Sequence, residues 1–142
     1  MDYLNNIKYS DCQTFLAPIT GGKVIKVYDG DTITIASKLP YDDSPIYRFS
    51  VRINGIDCPE MKSKCSEEKE IAKLAKQFLE KKILNKIVIL QNIQKEKYGR
   101  LLADVFLDDE KISDLLLSSK LAIVYSGGTK QKNFDWKKYY TN

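Results

Sequence analysis

Five ionisable residues in three short clusters carry most of the chemistry this 142-residue chain can offer. Asp31 stands in Tyr28-Asp29-Gly30-Asp31-Thr32, and Arg100 in Glu96-Lys97-Tyr98-Gly99-Arg100. Between them, Arg52, Asp57 and Glu60 fall in Arg52-Ile53-Asn54-Gly55-Ile56-Asp57-Cys58-Pro59-Glu60. Hydrolysing a phosphodiester with water calls for oxygen ligands for a hard cation, a base for the water, and planar cations for the charge growing on the phosphoryl oxygens. The clusters contain all of these, so the pattern points to a metal-assisted phosphodiesterase.

Each cluster also has a plainer reading. Asp29-Gly30-Asp31-Thr32 taken alone is most simply a solvated hairpin. It is not an EF-hand loop, because Ile33 stands where that loop needs an oxygen ligand and no glutamate closes the set. Asp31 therefore needs a second carboxylate from elsewhere in the fold. Asp57 offers one at a strand end, where Pro59 fixes the backbone and aims Glu60 back across it. A plain Arg52 to Asp57 ion pair would leave the same trace in the sequence. Lys97-Tyr98-Gly99-Arg100 combines a point cation, a stacking ring and a planar guanidinium, which suits a phosphate with its base or sugar, or else an ordinary turn. Arg52 and Arg100 together are the stronger signal, since two forks can clamp one phosphoryl group.

Composition narrows the chemistry further. The chain has no histidine, so its base must be a carboxylate, Lys, Tyr or Cys. Cys12, Cys58 and Cys65 are an odd count without zinc-module spacing, which favours free thiols over a disulfide framework or a Cys/His metal site. Cys58 has no histidine to activate it and reads as a structural thiol. With 23 basic and 19 acidic residues the chain is mildly basic, at +4, which admits a polyanionic partner without requiring one. No signal-peptide core and no membrane-length apolar run is visible, so a cytoplasmic location is expected by default.

For the clusters to meet, the elements between them must close on one another. Length and 43% apolar content fit one core, with residues 1–20 as an irregular N-terminal arm and 21–142 as a single domain. Lys23 to Tyr28 and Asp31 to Ala36 are β-branched runs. Asp29-Gly30 between them predicts a type I′ turn that delivers Asp31 to the first position of its strand. Ser37 to Ile46 is a loop by composition. Tyr47 to Asn54 alternates apolar and polar residues as a third strand. Strict alternation would turn Asp57 away from Arg52, and a bulge at Gly55 is expected to reset the parity.

Ser66 to about Leu84 is the clearest helix, with Ile71, Leu74, Ala75, Phe78 and Leu79 on one face and Ser66 as N-cap. Lys86 to Gln91 and Leu101 to Leu107 read as two more strands. A short helix from Ile112 to Ser119, an apolar stretch from Leu121 to Tyr125 and a polar tail follow; the tail is either frayed or ends in a short helix at Phe134 to Tyr140. The order predicts a β-rich α+β fold of OB type. This is a five-stranded Greek-key barrel with a helix between strands 3 and 4 and one or two C-terminal helices, and it suits oligonucleotide binding on one face.

From about Lys23 to Tyr125 the chain resembles the thermonuclease, or staphylococcal nuclease-like, family. Val27-Tyr28-Asp29-Gly30-Asp31-Thr32, Arg52 through Glu60, and Lys97-Tyr98-Gly99-Arg100 stand in the family's order. The resemblance implies an OB-fold barrel and calcium-dependent hydrolysis of DNA and RNA, endo- and exonucleolytic, leaving 3′-phosphates. It implies Asp31 and Asp57 as calcium-binding carboxylates, the Cys58 carbonyl as a further ligand, and Glu60 as general base. Arg52 and Arg100 match phosphate-binding arginines, Lys97 and Tyr98 match groups contacting the nucleotide, and Tyr125 matches a ring near it.

Magnesium or another hard cation is the alternative to calcium. Single strands should be preferred, because a shallow barrel face with stacking rings accepts unpaired bases. A monomer acting away from membranes is expected. The chain departs from the family at Cys58, where threonine is usual. It departs again at Lys120, where the family often has a helix-ending glycine, at a modest expected cost in stability. The rival reading is a non-catalytic nucleic-acid-binding OB-fold module, which would have no use for Glu60.

Overall fold

In the computed structural model, which describes residues 1–128 and 133–142, the chain winds strand by strand around an aliphatic core. Residues 129–132 of the polar tail lie outside the described residues. β1 (Gly21–Asp29), β2 (Thr32–Lys38) and β3 (Ile46–Ile53) form an antiparallel meander. Val24, Ile33, Ile35, Val51 and Ile53 are fully buried, because the pleat sends alternate β-branched side chains inward. The two-residue β4 (Ile56–Asp57), helix α1 (Ser66–Ile83), β5 (Ile87–Lys95) and β6 (Leu101–Leu107) follow. β5 pairs with both β1 and β6. β6 then closes onto β3 in parallel, with Val51 opposite Leu101, Arg52 opposite Leu102 and Ile53 opposite Ala103.

The closed order β1-β2-β3-β6-β5 is the five-stranded OB-type barrel expected, with α1 between its third and fourth strands. The chain continues through β7 (Glu110–Lys111), α2 (Ile112–Ser118), β8 (Ile123–Val124) and α3 (Trp136–Thr141). α1 packs on β1 and buries Ile71, Ala72, Ala75, Leu79 and Ile83, a stripe at helical spacing. Leu74 and Phe78 lie partly buried at its margin. The N-cap is Cys65 rather than Ser66, and its side chain makes no capping hydrogen bond. α3 docks on α1 beside an aromatic cluster in which Phe134 meets Trp136 edge to face at 4.8 Å and Tyr139 at 5.5 Å.

Two turns differ from expectation. Asp29 pairs with Thr32, so the β1–β2 turn is Gly30-Asp31, and Asp31 lies in the turn rather than in the strand. None of Asp29, Gly30 and Asp31 has a positive φ, which excludes a type I′ turn. Instead Asp29 Oδ1 accepts the Asp31 N–H at 3.0 Å, a side-chain mimic of a backbone turn. Glycine is required here for room, because a Cβ on Gly30 would lie 2.8 Å from Ala75 Cβ and 2.9 Å from Cys58 Sγ. At Gly55 the chain makes a tight turn rather than a bulge, with φ at +87°. β4 then leaves β3 and pairs with β8, Ile56 opposite Val124 and Asp57 opposite Ile123.

Residues 1–16 are exposed and include short 3-10 turns at Asp2–Leu4 and Tyr9–Asp11, whereas Ala17 and Ile19 reach the core. Among the described residues no helix is long and apolar enough to cross a membrane.

Candidate active site

Strand ends and a tight turn deliver the acidic residues to one place. Asp31 occupies the β1–β2 turn, Asp57 ends β4, and Arg52 lies next to the end of β3, opposite Thr32 in the sheet register. Arg52 Nη2 is 3.6 Å from Asp31 Oδ2 and 3.7 Å from Asp57 Oδ1, and it donates to the Ile56 carbonyl at 3.1 Å. These three side chains are about nine-tenths buried. Pairing is what makes burial of such charges tolerable. Thr32 Oγ1 donates to Asp31 Oδ1 at 3.0 Å, and the Cys58 N–H donates to Asp31 Oδ2 at 3.4 Å. The Gly55 turn thus achieves the convergence of Arg52 and Asp57 that a bulge was expected to produce.

The negative charge is dense. Burial, then the charge of Asp31 and a hydrogen bond with its side chain, push the Asp29 carboxyl up to about 7; Glu60 adds to the push and the Asp31 backbone N–H opposes it. Glu60 therefore lies within electrostatic reach of the cluster, on its solvent side. Its backbone N–H donates to Glu68 Oε2 at 2.7 Å, tying the residue to the first turn of α1. Burial, followed by Asp31, Asp29 and Asp57, holds the Cys58 thiol well above its ordinary range, with Arg52 opposing. A protonated, buried thiol is structural rather than nucleophilic.

Arg52 also lines a cleft of about 350 Å³, together with Asn54, Lys97, Arg100, Leu102 and Tyr125. The Tyr125 ring lies beneath the guanidinium, 5.3 Å from centroid to carbon, a cation–π contact. Its N–H donates to the Gly55 carbonyl at 2.9 Å and its hydroxyl to the Gly128 carbonyl at 2.6 Å. Arg100 is paired with Glu96 one helical turn's spacing earlier in the sequence. Lys97–Gly99 form a 3-10 turn in which Tyr98 has φ +63° and is fully exposed, outside the cleft lining.

The structure therefore brings Asp31, Arg52, Asp57 and the Cys58 backbone into contact and gathers Lys97, Arg100 and Tyr125 around the adjoining cleft. It sets Glu60 beside the acidic end and leaves Tyr98 in solvent. Sequence reasoning missed three groups. Asp29 was read only as a turn residue, although its spacing from Asp31 was a signal. Glu96 carried the i, i+4 signal toward Arg100. Asp104, buried on β6, accepts the side-chain amides of Asn54 at 3.2 Å and Asn92 at 2.7 Å; it left no local signal beyond a charge inside an apolar strand.

The charged donors at the acidic end are carboxylate oxygens, which fit calcium or magnesium and not a soft metal. Among the described residues no group of three His, Cys, Asp or Glu side chains could hold a metal ion alone. A cation held here would draw the rest of its shell from backbone, water and substrate oxygens.

The family model described as staphylococcal nuclease homologue matches residues 50–141. A thermonuclease of Staphylococcus intermedius is 37% identical over 101 residues, covering 70% of this chain and 56% of that relative. A thermonuclease of Staphylococcus hyicus is 32% identical over 102 residues, with the same two shares. An uncharacterized protein of Bacillus anthracis is 34% identical over 106 residues, covering 72% of this chain and 46% of the relative. The chain spans about half the length of these curated relatives.

Proposed function

Because the chain belongs to the family of staphylococcal nuclease homologues, we propose that it is a calcium-dependent phosphodiesterase hydrolysing single-stranded DNA and RNA to 3′-phosphate products. One observation carries the reading. A single nitrogen of Arg52 reaches both Asp31 and Asp57, while the same side chain lines the cleft that Arg100 lines. In this reading Arg52 links the two carboxylates that would hold a hard cation to the cleft in which a phosphate would meet both arginines.

In this reading the scissile phosphate lies between Arg52 and Arg100. Arg52 Nη2 faces Asp31, Asp57 and the Ile56 carbonyl, and a guanidinium carries five N–H donors, enough to serve phosphoryl oxygens as well. Glu60 accepts a proton from the water whose oxygen attacks phosphorus in line. The bond from phosphorus to the 5′-oxygen breaks, that oxygen takes a proton from solvent, and the 3′-phosphate stays on the other fragment. Both guanidinium groups stabilise the charge of the five-coordinate transition state. Calcium, or another hard cation, when held by Asp31, Asp57 and the Cys58 carbonyl, would supply further positive charge to the phosphoryl oxygens. Lys97, Tyr98 and Tyr125 contact the nucleotide, and residues 21–142 act as one monomeric nuclease domain.

The test is cleavage of labelled single-stranded DNA by the full chain with calcium, with chelator, and by Glu60→Gln. Calcium-dependent cutting should fall by about 10²-fold or more in kcat in the variant, with KM near the parent's. Tight binding without cutting by the parent would make the chain a nucleic-acid-binding module instead.

A further inference from the structure

Arg100 also borders a second concavity, next to the cleft it shares with Arg52. This groove of about 260 Å³ is lined by Lys26, Tyr28, Thr32, Thr34, Ser50 and Arg100. Its floor is one rung of the sheet, Lys26 opposite Thr34 and Thr34 opposite Ser50, and three adjacent strands make it about 10 Å across. A bulge between Val24 and Lys26 shifts the β1 register, so that Ile25 and Lys26 are both exposed. Ser50 precedes Arg52 by two residues and therefore shares its face of β3, about 7 Å along the strand.

The lining is chemically one-sided. Among the described residues it holds two cations, three hydroxyls and a half-exposed tyrosine ring, and no carboxylate. Those are the groups that track a sugar–phosphate backbone and offer a base a surface to stack on. A strand held at Arg100 in the first cleft has this groove as its continuation.

We propose that the Lys26–Tyr28–Thr34–Ser50 groove is a subsite for the next nucleotide beyond the two that the scissile phosphate joins, with Lys26 on its phosphate and Tyr28 against its base. The inference rests on the nuclease reading of the neighbouring cleft. It makes the chain a reader of strand length: substrates long enough to cross Arg100 gain contacts that a dinucleotide lacks. Arg48, exposed two residues before Ser50 on the same face of β3, lies in line for the phosphate after that.

The experiment compares the parent with Lys26→Ala, Tyr28→Ala and Tyr28→Phe on a dinucleotide and on a labelled single-stranded oligomer of about eight nucleotides. Cleavage is followed in calcium, and equilibrium binding of the oligomer by fluorescence anisotropy in chelator. Tyr28→Ala should raise KM and Kd for the oligomer about fivefold or more, and Tyr28→Phe should restore them. Lys26→Ala should weaken oligomer binding and reduce the slope of log affinity against log salt by about 0.7. Cleavage of the dinucleotide should stay at the parent's level. Equal effects on both substrates, or none on the oligomer, would overturn the subsite. A parent that binds the oligomer but cuts neither substrate would sink the nuclease reading while the binding arm still judges the groove. A parent that neither binds nor cuts would overturn both.

Discussion

Tyr125 supports Arg52 from below: its ring centroid lies 5.3 Å from the guanidinium carbon, and its backbone N–H is anchored to the turn at Gly55. The ring thus fixes the height of the fork above the cleft floor. Tyr125→Ala should lower kcat/KM on single-stranded DNA by about five- to thirtyfold, the range of a partly desolvated cation–π contact plus lost orientation. Tyr125→Phe keeps the ring, loses the bond to Gly128, and should retain most activity. Equal losses in the two variants would place the importance of this residue in its hydroxyl instead.

Arg100, the second fork of the proposed clamp, lines the cleft and is paired there with Glu96. Lysine keeps the charge but not the two-pronged geometry. Arg100→Lys should therefore reduce kcat/KM by about 10²-fold or more, measured on the same labelled strand. Activity near the parent's would rule out a bidentate clamp.

Gly30 is surrounded by Ala75 and Cys58, so a methyl group there must push α1 or β4 aside. Gly30→Ala should destabilise the fold by about 1–3 kcal/mol in urea melts. Combined with Ala75→Gly it should cost less than the sum of the two single changes, because the closest clash is gone. Strict additivity would mean that the strain lies elsewhere.

Lys120 ends α2 in a left-handed conformation, φ +59°. Leu121 N–H bonds to the Leu116 carbonyl and Lys120 N–H to that of Leu117, the paired bonds of a Schellman cap. A side chain in that conformation costs about 1 kcal/mol or more that glycine does not incur. Lys120→Gly should raise Tm by about 3 °C in a thermal melt. The gain is trimmed by loss of the lysine's contact with the Tyr139 ring, 6.0 Å away. A lower Tm would make that contact the larger effect.

These residues show what the sequence made legible and why. The barrel order could be read because β-branched runs and turn residues alternate locally, and Arg52 and Asp57 stand at strand ends that such signals mark. The turn type at Gly30 could not be read, since the reason for glycine is contributed by Cys58 and Ala75, far along the chain. Asp29 looked like a turn residue because its raised pKa depends on burial and on the charge of its neighbours after folding. Tyr98 is fully exposed and takes a left-handed backbone conformation. No local pattern announces a single left-handed residue of that kind.

The parallel ladder between β3 and β6 also gives the site a moment of birth. Its partners lie roughly fifty residues apart along the chain, and pairings of that span form slowly because the loop between them must first be ordered. Until the ladder zips, Arg52 on β3 and Arg100 just before β6 are linked only the long way round, through β2, β1 and β5. The proposed phosphate clamp is therefore complete only once the barrel has closed, and a nascent or half-unfolded chain would lack it.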